Sequence, residues 1–405
     1  MYNLFNYFQK LKVLDLFKPS VFVCLIYFVY FLPILFISLS DGIFLASLYP
    51  TKLSHSWLVF FLFFVNFIVL YITSKFKIYA FSHVPSLNFP RWVSLWVMFF
   101  FSLLCIFSII ILDDKLNIYR LFSQLLNDQI AYFLNQPKVG AELASSGMLK
   151  FFFISQMSFV LIYFALILYK DSIFVKVSSI FFVVLLLVFF FLISRREVII
   201  YFFFLSLLGF LTKKNCFTAF KYIIPVLLML IVTVNIRTAS DNLLDISAFL
   251  KSQEFYPFQF GAVLIDRWIS DFYLEDISYL IPFSIFYTDF EFSTLSQKLM
   301  SDVFLHVDPG PTVSINYTLI GFLYFPVIIY FSAICVIMNY IYHQCLLSKR
   351  GYVYIPYYSF LCIKLLLFIR NGEVINHFID CFIFTVLYLP FFIFLPRVED
   401  EKQIV

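Results

Sequence analysis

Long apolar runs separated by short polar or charged stretches follow one another along most of this chain. A helix crosses the hydrocarbon core of a bilayer with about 20 consecutive apolar residues. Ten runs approach that length, at residues 21–40, 57–73, 93–112, 151–168, 173–193, 198–212, 222–236, 319–342, 352–369 and 378–395. They are nearly continuous and do not alternate with a period of two, which indicates helices and not the strands of a barrel. The pattern predicts an all-α polytopic membrane protein with about 10 transmembrane helices.

Two of the connections between these runs are long, and each contains an amphipathic stretch. The first connection is 113–150, with the stretch 118–133. The second is 237–318, with the segment 257–287. One helical stripe of the second segment is apolar and consists of Ile265, Trp268, Ile269 and Phe272. This spacing predicts amphipathic helices that lie in the membrane interface or cap a cavity. The alternative is a packed lid without a role in substrate binding.

The composition strengthens the membrane prediction. Of the 405 residues, 63% are hydrophobic and 13% are charged, whereas soluble domains carry about 25% charged residues. The net charge of +4 is too small to favour nucleic acid as a partner. The seven cysteines form no Cys-x-x-Cys pair and no Cys/His cluster, so neither a disulfide framework nor a zinc site is predicted. We expect a single integral membrane domain over residues 1–405, without a cleaved signal peptide.

The positive charges of the connections define an orientation. With the N-terminus in the cytoplasm, every cytoplasmic connection carries lysine or arginine, in agreement with the positive-inside rule. These residues are Lys10, Lys12, Lys18, Lys75, Lys77, Arg91, Lys170, Lys176, Lys213, Lys214, Lys221, Lys349, Arg350, Arg397 and Lys402. The C-terminus is then cytoplasmic as well, and the outer face holds the loops 41–56, 113–150 and 237–318. The two longer loops contain lysines of their own, but long loops can escape the charge rule.

A charged stretch, Ser-Arg-Arg-Glu at residues 194–197, separates two runs without charge. A charged side chain at the bilayer centre costs about 2.5–3.5 kcal/mol on insertion scales. The stretch therefore forms either a turn between spans or part of a polar site. The orientation puts it on the outer face with Arg237 and Arg370, and we predict an anion site built from Arg195, Arg196, Arg237 and Arg370. The alternative is that each arginine merely extends to lipid phosphates.

Candidate acids and bases on the predicted outer face lie in two places. His306 stands in a turn-rich approach to the eighth span, and histidine is the natural general base near neutral pH. Glu373 and His377 follow Arg370 at the turn between the last two spans. They are four residues apart and share a helix face if the last span begins early. Lys364, inside the ninth span, either extends to the interface, pairs with an acid or lines a cavity floor.

Neither a metal nor a cofactor is expected. Asp289 and Glu291 have the spacing of the acidic pair in metal-dependent glycosyltransferases, but two acids at this spacing are common by chance. The chain also lacks a Gly-rich phosphate loop, and the predicted cytoplasmic loops are too short to hold a nucleotide-sugar site.

Several short motifs resemble those of the Wzy-type O-antigen polymerases, membrane enzymes that join lipid-linked oligosaccharide repeat units. The motifs are Ser194-Arg195 at a helix start, Arg237 opening a large outer loop, His306 with Gly310 and the Gly321-containing span, and Arg370-Asn371-Gly372 before the last span. The His…Gly pattern is similar to that of the related O-antigen ligases. The resemblance covers the layout of the whole chain. The chain departs from the family pattern where Asn371 follows the late arginine and where Arg196 doubles the first.

The resemblance implies a metal-independent glycosyltransferase of the GT-C type in the bacterial inner membrane, with an active site facing the periplasm. Its donor is a growing glycan on undecaprenyl pyrophosphate, and its acceptor is a single lipid-linked repeat unit. The residues assigned to stabilising the pyrophosphate leaving group are Arg195, Arg237 and Arg370. His306 or Glu373 is the base for the acceptor hydroxyl. The residues assigned to substrate binding are Arg196, Glu254, Arg267 and His377.

The expected partners are undecaprenyl-pyrophosphate-linked oligosaccharides, membrane lipid and a chain-length regulator protein. Three other readings of the sequence stay open. A lipid-linked oligosaccharide flippase would need charged residues near the midplane of many helices. In this sequence only Lys364 lies deep within a predicted span. A membrane O-acyltransferase would need a His-acid arrangement on the cytoplasmic side, which the sequence lacks. A scaffold or sensor would need no chemistry at all.

Overall fold

The computed structural model describes residues 12–39, 56–76, 91–128, 152–193, 196–211, 325–346, 351–371 and 374–395, together with Lys214, Lys221, Ile224 and Leu228. The elements of these residues are all helical. The α-helices are α1 (Val13–Leu16), α2 (Pro19–Leu39), α3 (Ser56–Thr73), α4 (Arg91–Leu116), α5 (Ile118–Asn127), α6 (Ser158–Leu168), α7 (Ile173–Leu192), α8 (Arg196–Phe210), α9 (Phe325–Tyr340), α10 (Gly351–Asn371) and α11 (Val374–Phe394). Two π-helical turns, π1 (Phe153–Met157) and π2 (Ile341–Leu346), precede α6 and follow α9.

The predicted all-α class is confirmed for the described part of the chain, where helices lie in nine of the ten predicted spans. The seventh predicted span, 222–236, lies outside the described residues except for Ile224 and Leu228, which are helical. Three described segments are long and apolar enough to cross a membrane: Trp92–Ile111, Ile173–Leu192 and Gly351–Ile369. The total number of spans and their orientation stay predictions.

Several helices extend beyond the apolar runs that predicted them. α4 continues to Leu116, so the first residues of the predicted outer loop 113–150 are helical. α8 begins at Arg196 and α11 at Val374, each before its apolar run. Backbone hydrogen bonds maintain a helical turn whatever its side chains are, and long polar side chains at a helix end can reach the interface.

The amphipathic helix predicted at 118–133 is present as α5, which ends at Asn127. Asn117 separates α5 from α4 with a φ of 47°, in the left-handed region. Its side-chain oxygen accepts a hydrogen bond of 3.0 Å from the backbone N–H of Arg120. The cap thus satisfies one of the free donors at the start of the helix. The second predicted amphipathic segment, 257–287, lies outside the described residues.

The chain divides into two compact units. The first unit contains α1, α2, α3, α9 and the stretch 364–382, which includes the end of α10 and the start of α11. The second unit contains α4 to α8, π1 and the remaining parts of α10 and α11.

Aromatic and polar contacts hold the helices of the first unit. The rings of Tyr27 in α2 and Phe67 in α3 lie 5.3 Å apart. Asn339 of α9 is buried, and its amide nitrogen donates a hydrogen bond of 2.6 Å to the backbone oxygen of Phe76. This bond ties α9 to the carbonyl of Phe76, three residues beyond the end of α3.

The core of the second unit is built from phenylalanine side chains of α4, α6 and α11. The ring of Phe391 lies 4.8 Å from that of Phe101 and 5.4 Å from that of Phe164. All three side chains are buried. Ring pairs at these distances stabilise the folded state in addition to the burial of their apolar surface.

The carbonyl oxygen of Phe153 in the π1 turn accepts hydrogen bonds from two side chains. The Cys105 thiol of α4 donates to it at 3.0 Å, and the Ser158 hydroxyl donates to it at 2.9 Å. The turn therefore also fixes α4 against the start of α6.

A glycine allows a close helix contact in the same unit. A Cβ atom at Gly209 of α8 would lie 2.6 Å from ring carbon Cε2 of Tyr163 in α6. Since Tyr163 is buried, its ring has little room to withdraw. The position therefore requires glycine.

Within the second unit, α10 and α11 run antiparallel. The hydroxyls of Tyr357 and Thr385 lie 2.9 Å apart, and the rings of Phe360 and Phe384 stack at 3.9 Å. Residue numbers rise along α10 as they fall along α11, as in a helical hairpin with a short connection.

Candidate functional site

Six of the predicted site residues lie outside the described residues: Arg195, Arg237, Glu254, Arg267, His306 and Glu373. Three others lie on helices, with backbones that are described and side chains that are not: Arg196, Arg370 and His377. The described part of the candidate site is therefore the start of α8 and the hairpin of α10 and α11.

The charged stretch at 194–197 is helical in its second half. Arg196 is the first residue of α8, and Glu197, in the first turn, is partly exposed. An acidic side chain in the first turn is stabilised by the positive end of the helix dipole. Val198 follows and is fully buried. The sequence left open a turn or a polar site, and the structure shows that Arg196 and Glu197 of the charged stretch are helical.

The hairpin brings two predicted residues to one end of the first unit. α10 ends at Asn371, directly after Arg370, and α11 begins at Val374, three residues before His377. Arg370 and His377 therefore occupy consecutive helix ends that are joined by two residues. Arg196, by contrast, belongs to the second unit.

A buried ion pair lies inside this hairpin. The Lys364 ammonium of α10 donates a hydrogen bond to the Asp380 carboxylate of α11. The Lys364 side chain is 5% exposed and that of Asp380 is 17% exposed. Lys364 lies seven residues before the end of α10, and Asp380 lies six residues after the start of α11. With a rise of about 1.5 Å per residue, the pair sits roughly 10 Å from the turn.

The structure thus selects one of the three roles considered for Lys364, pairing with an acid. Asp380 is the functional candidate that the sequence analysis missed. The sequence could have indicated Asp380 as the partner of Lys364, because the two residues carry opposite charges in two consecutive apolar runs. Ionisable residues within membrane segments commonly pair with one another.

Aromatic side chains of the same unit pack on both helices of the pair. The ring of Tyr330 in α9 lies 5.4 Å from that of Phe368 in α10 and 5.5 Å from that of Phe378 in α11. Apolar surroundings strengthen the attraction within the pair and make either charge costly to leave alone. The geometry therefore holds one end of the hairpin in a fixed register.

No protein-family model, no curated protein and no solved structure matches this chain. The likeness to the Wzy-type polymerases accordingly rests on the sequence motifs alone.

Proposed function

We propose that the protein is a metal-independent glycosyltransferase that polymerises undecaprenyl-pyrophosphate-linked oligosaccharide repeat units at the periplasmic face of a bacterial inner membrane. The observation that supports this proposal is the buried Lys364–Asp380 pair, about 10 Å from the hairpin end that carries Arg370 and His377. Groups that act on a reacting phosphate must be held by rigid elements. An ion pair locked between the two helices supplies such rigidity.

The proposed reaction is a displacement at the anomeric carbon of the donor glycan. The acceptor hydroxyl oxygen forms the new glycosidic bond, while the bond from that carbon to the pyrophosphate oxygen breaks. The proton of the hydroxyl passes to a base, His306 or Glu373, and the negative charge of the leaving group increases. Arginine binds phosphate oxygens through two parallel hydrogen bonds, which makes Arg195, Arg237 and Arg370 suitable partners for that charge.

The start of α8 adds to this chemistry. Arg196 is the first residue of a helix of 15 residues, and a helix N-terminus attracts anions through its free N–H groups and its dipole. An arginine at that position supports a role in pyrophosphate binding.

The experiment is a deletion of the gene in its host, followed by complementation and gel analysis of surface polysaccharide. We expect the deletion strain to lose the polymer ladder and keep a single repeat unit. Arg195→Ala, Arg237→Ala and Arg370→Ala should give the same result while the protein still inserts into the membrane. Arg120→Ala is the matched control, because Arg120 is an exposed arginine of α5 without an assigned role. A full ladder in all three variants would refute the arginine site.

A second candidate function is transport of the lipid-linked oligosaccharide across the membrane. The observation that favours it is the same ion pair, since ionisable residues inside apolar helices also mark transport pathways. The gel distinguishes the two functions. A strain that lacks the transporter loses every surface repeat unit, including the single one.

A further inference from the structure

A shallow apolar groove lies where α4 begins. Its volume is about 420 Å³, within the range of small-molecule sites, and its walls are apolar side chains of α4 together with Pro390 of α11. Trp92, Trp96 and Phe100 form one wall and lie four residues apart, on one face of the helix.

Two tryptophans place this groove at a membrane interface. The side chains of Trp92 and Trp96 are 61% and 64% exposed. The segment long and apolar enough to cross a membrane begins at Trp92 itself. Tryptophan concentrates at the level of the lipid headgroups, because its ring is apolar and its N–H needs a polar partner.

The walls of the groove are held by contacts on both helices. The Ser94 hydroxyl donates a hydrogen bond of 2.7 Å to the backbone oxygen of Phe394, at the end of α11. The rings of Phe101 and Phe391 pack at 4.8 Å. Pro390 directly precedes Phe391 and has no N–H to donate. The groove is therefore a fixed part of the second unit.

We propose that this groove binds one acyl chain of an anionic phospholipid, with the headgroup beside Arg91. The walls present no charged side chain, so a charged peptide finds no partner there. Arg91 is the first residue of α4 and directly precedes Trp92, so the sequence places a positive charge at the helix end where the groove lies. This end of α4 is also on the predicted cytoplasmic side, where anionic lipids attract basic residues.

The test uses the indole fluorescence of Trp92 and Trp96 in the full chain, with Trp57→Phe and Trp268→Phe removing the other two tryptophans. The protein is placed in phosphatidylcholine nanodiscs that contain a minor fraction of brominated phosphatidylglycerol or, separately, brominated phosphatidylcholine. Attraction of a basic residue to an anionic surface is worth about 1 kcal/mol, which corresponds to about fivefold in affinity. We expect quenching to require about fivefold less brominated phosphatidylglycerol than brominated phosphatidylcholine.

Two further variants test the groove and its charge. Arg91→Gln should remove the preference between the two lipids, while quenching itself remains. Val93→Phe should also remove the preference, because the added ring fills part of the groove with Arg91 in place. The second variant keeps the test valid if the first fails to insert.

The matched control is a protein in which the substitution Phe107→Trp provides the only tryptophan. Phe107 lies on the same helix, is 63% exposed and is not part of the groove. Its tryptophan should be quenched equally by both brominated lipids. If both brominated lipids also quench Trp92 and Trp96 equally, the groove makes only ordinary lipid contact. This result would overturn the proposal. Absence of quenching at the groove alone would mean that protein covers it, which also overturns the proposal.

Discussion

The buried pair of Lys364 and Asp380 allows a test that compares the loss of one partner with the replacement of both. Asp380→Asn removes the carboxylate that pairs with Lys364, and Lys364→Met removes the ammonium that pairs with Asp380. Removing one partner of a buried pair typically costs about 3–5 kcal/mol of folding free energy. The Lys364 side chain is 5% exposed and that of Asp380 is 17% exposed. We therefore expect Asp380→Asn to be the more destabilising of the two.

The assay is unfolding of the purified full chain in detergent micelles, followed by tryptophan fluorescence at pH 7. The double variant Lys364→Met/Asp380→Leu should stay within about 1 kcal/mol of the parent, since apolar replacement of both partners is often neutral. Single variants that unfold at the same midpoint as the parent would show that the charges are not buried as a pair. A double variant as unstable as Asp380→Asn would do the same.

Three more substitutions test individual contacts by the same unfolding measurement. Gly209→Ala should destabilise by about 1–3 kcal/mol, because the added methyl group clashes with the ring of Tyr163; an unchanged midpoint would mean that the ring is free to move. Asn339→Leu strands the backbone oxygen of Phe76 and should cost about 1–3 kcal/mol, so a neutral result would contradict that bond. Ser94→Ala should cost about 0.5–1.5 kcal/mol through loss of one hydroxyl bond, and a larger loss would require another contact.

The sequence predicted the positions of the helices well because membrane-length apolar runs leave little choice of structure. α2, α3 and α7 match predicted spans to within two residues at each end. The boundaries were less well predicted where charge meets a helix, as at Arg196, since a side chain's polarity does not determine where backbone hydrogen bonding stops.

The candidate site was harder to predict because it depends on which residues of two helices meet. Lys364 was noticed as a charge in an apolar run, but its partner could be found only from the register of α10 against α11. Asp380 lies near the start of its run, where an acid is easily assigned to the interface. The role of Arg370 and His377 stays a prediction, since only their positions on the helices are described.

The π1 turn has a consequence for how this gene can change. A π-helical turn contains one residue more than the α-helical turn it replaces, and each residue advances a helix by about 100°. A deletion of one codon within 153–157 would rotate Phe152 by about that angle against α6. Phe152 is buried, and its ring lies 6.4 Å from those of Phe360 and Phe384. Within 153–157, a change in the number of residues is therefore less easily tolerated than the substitution of any single residue.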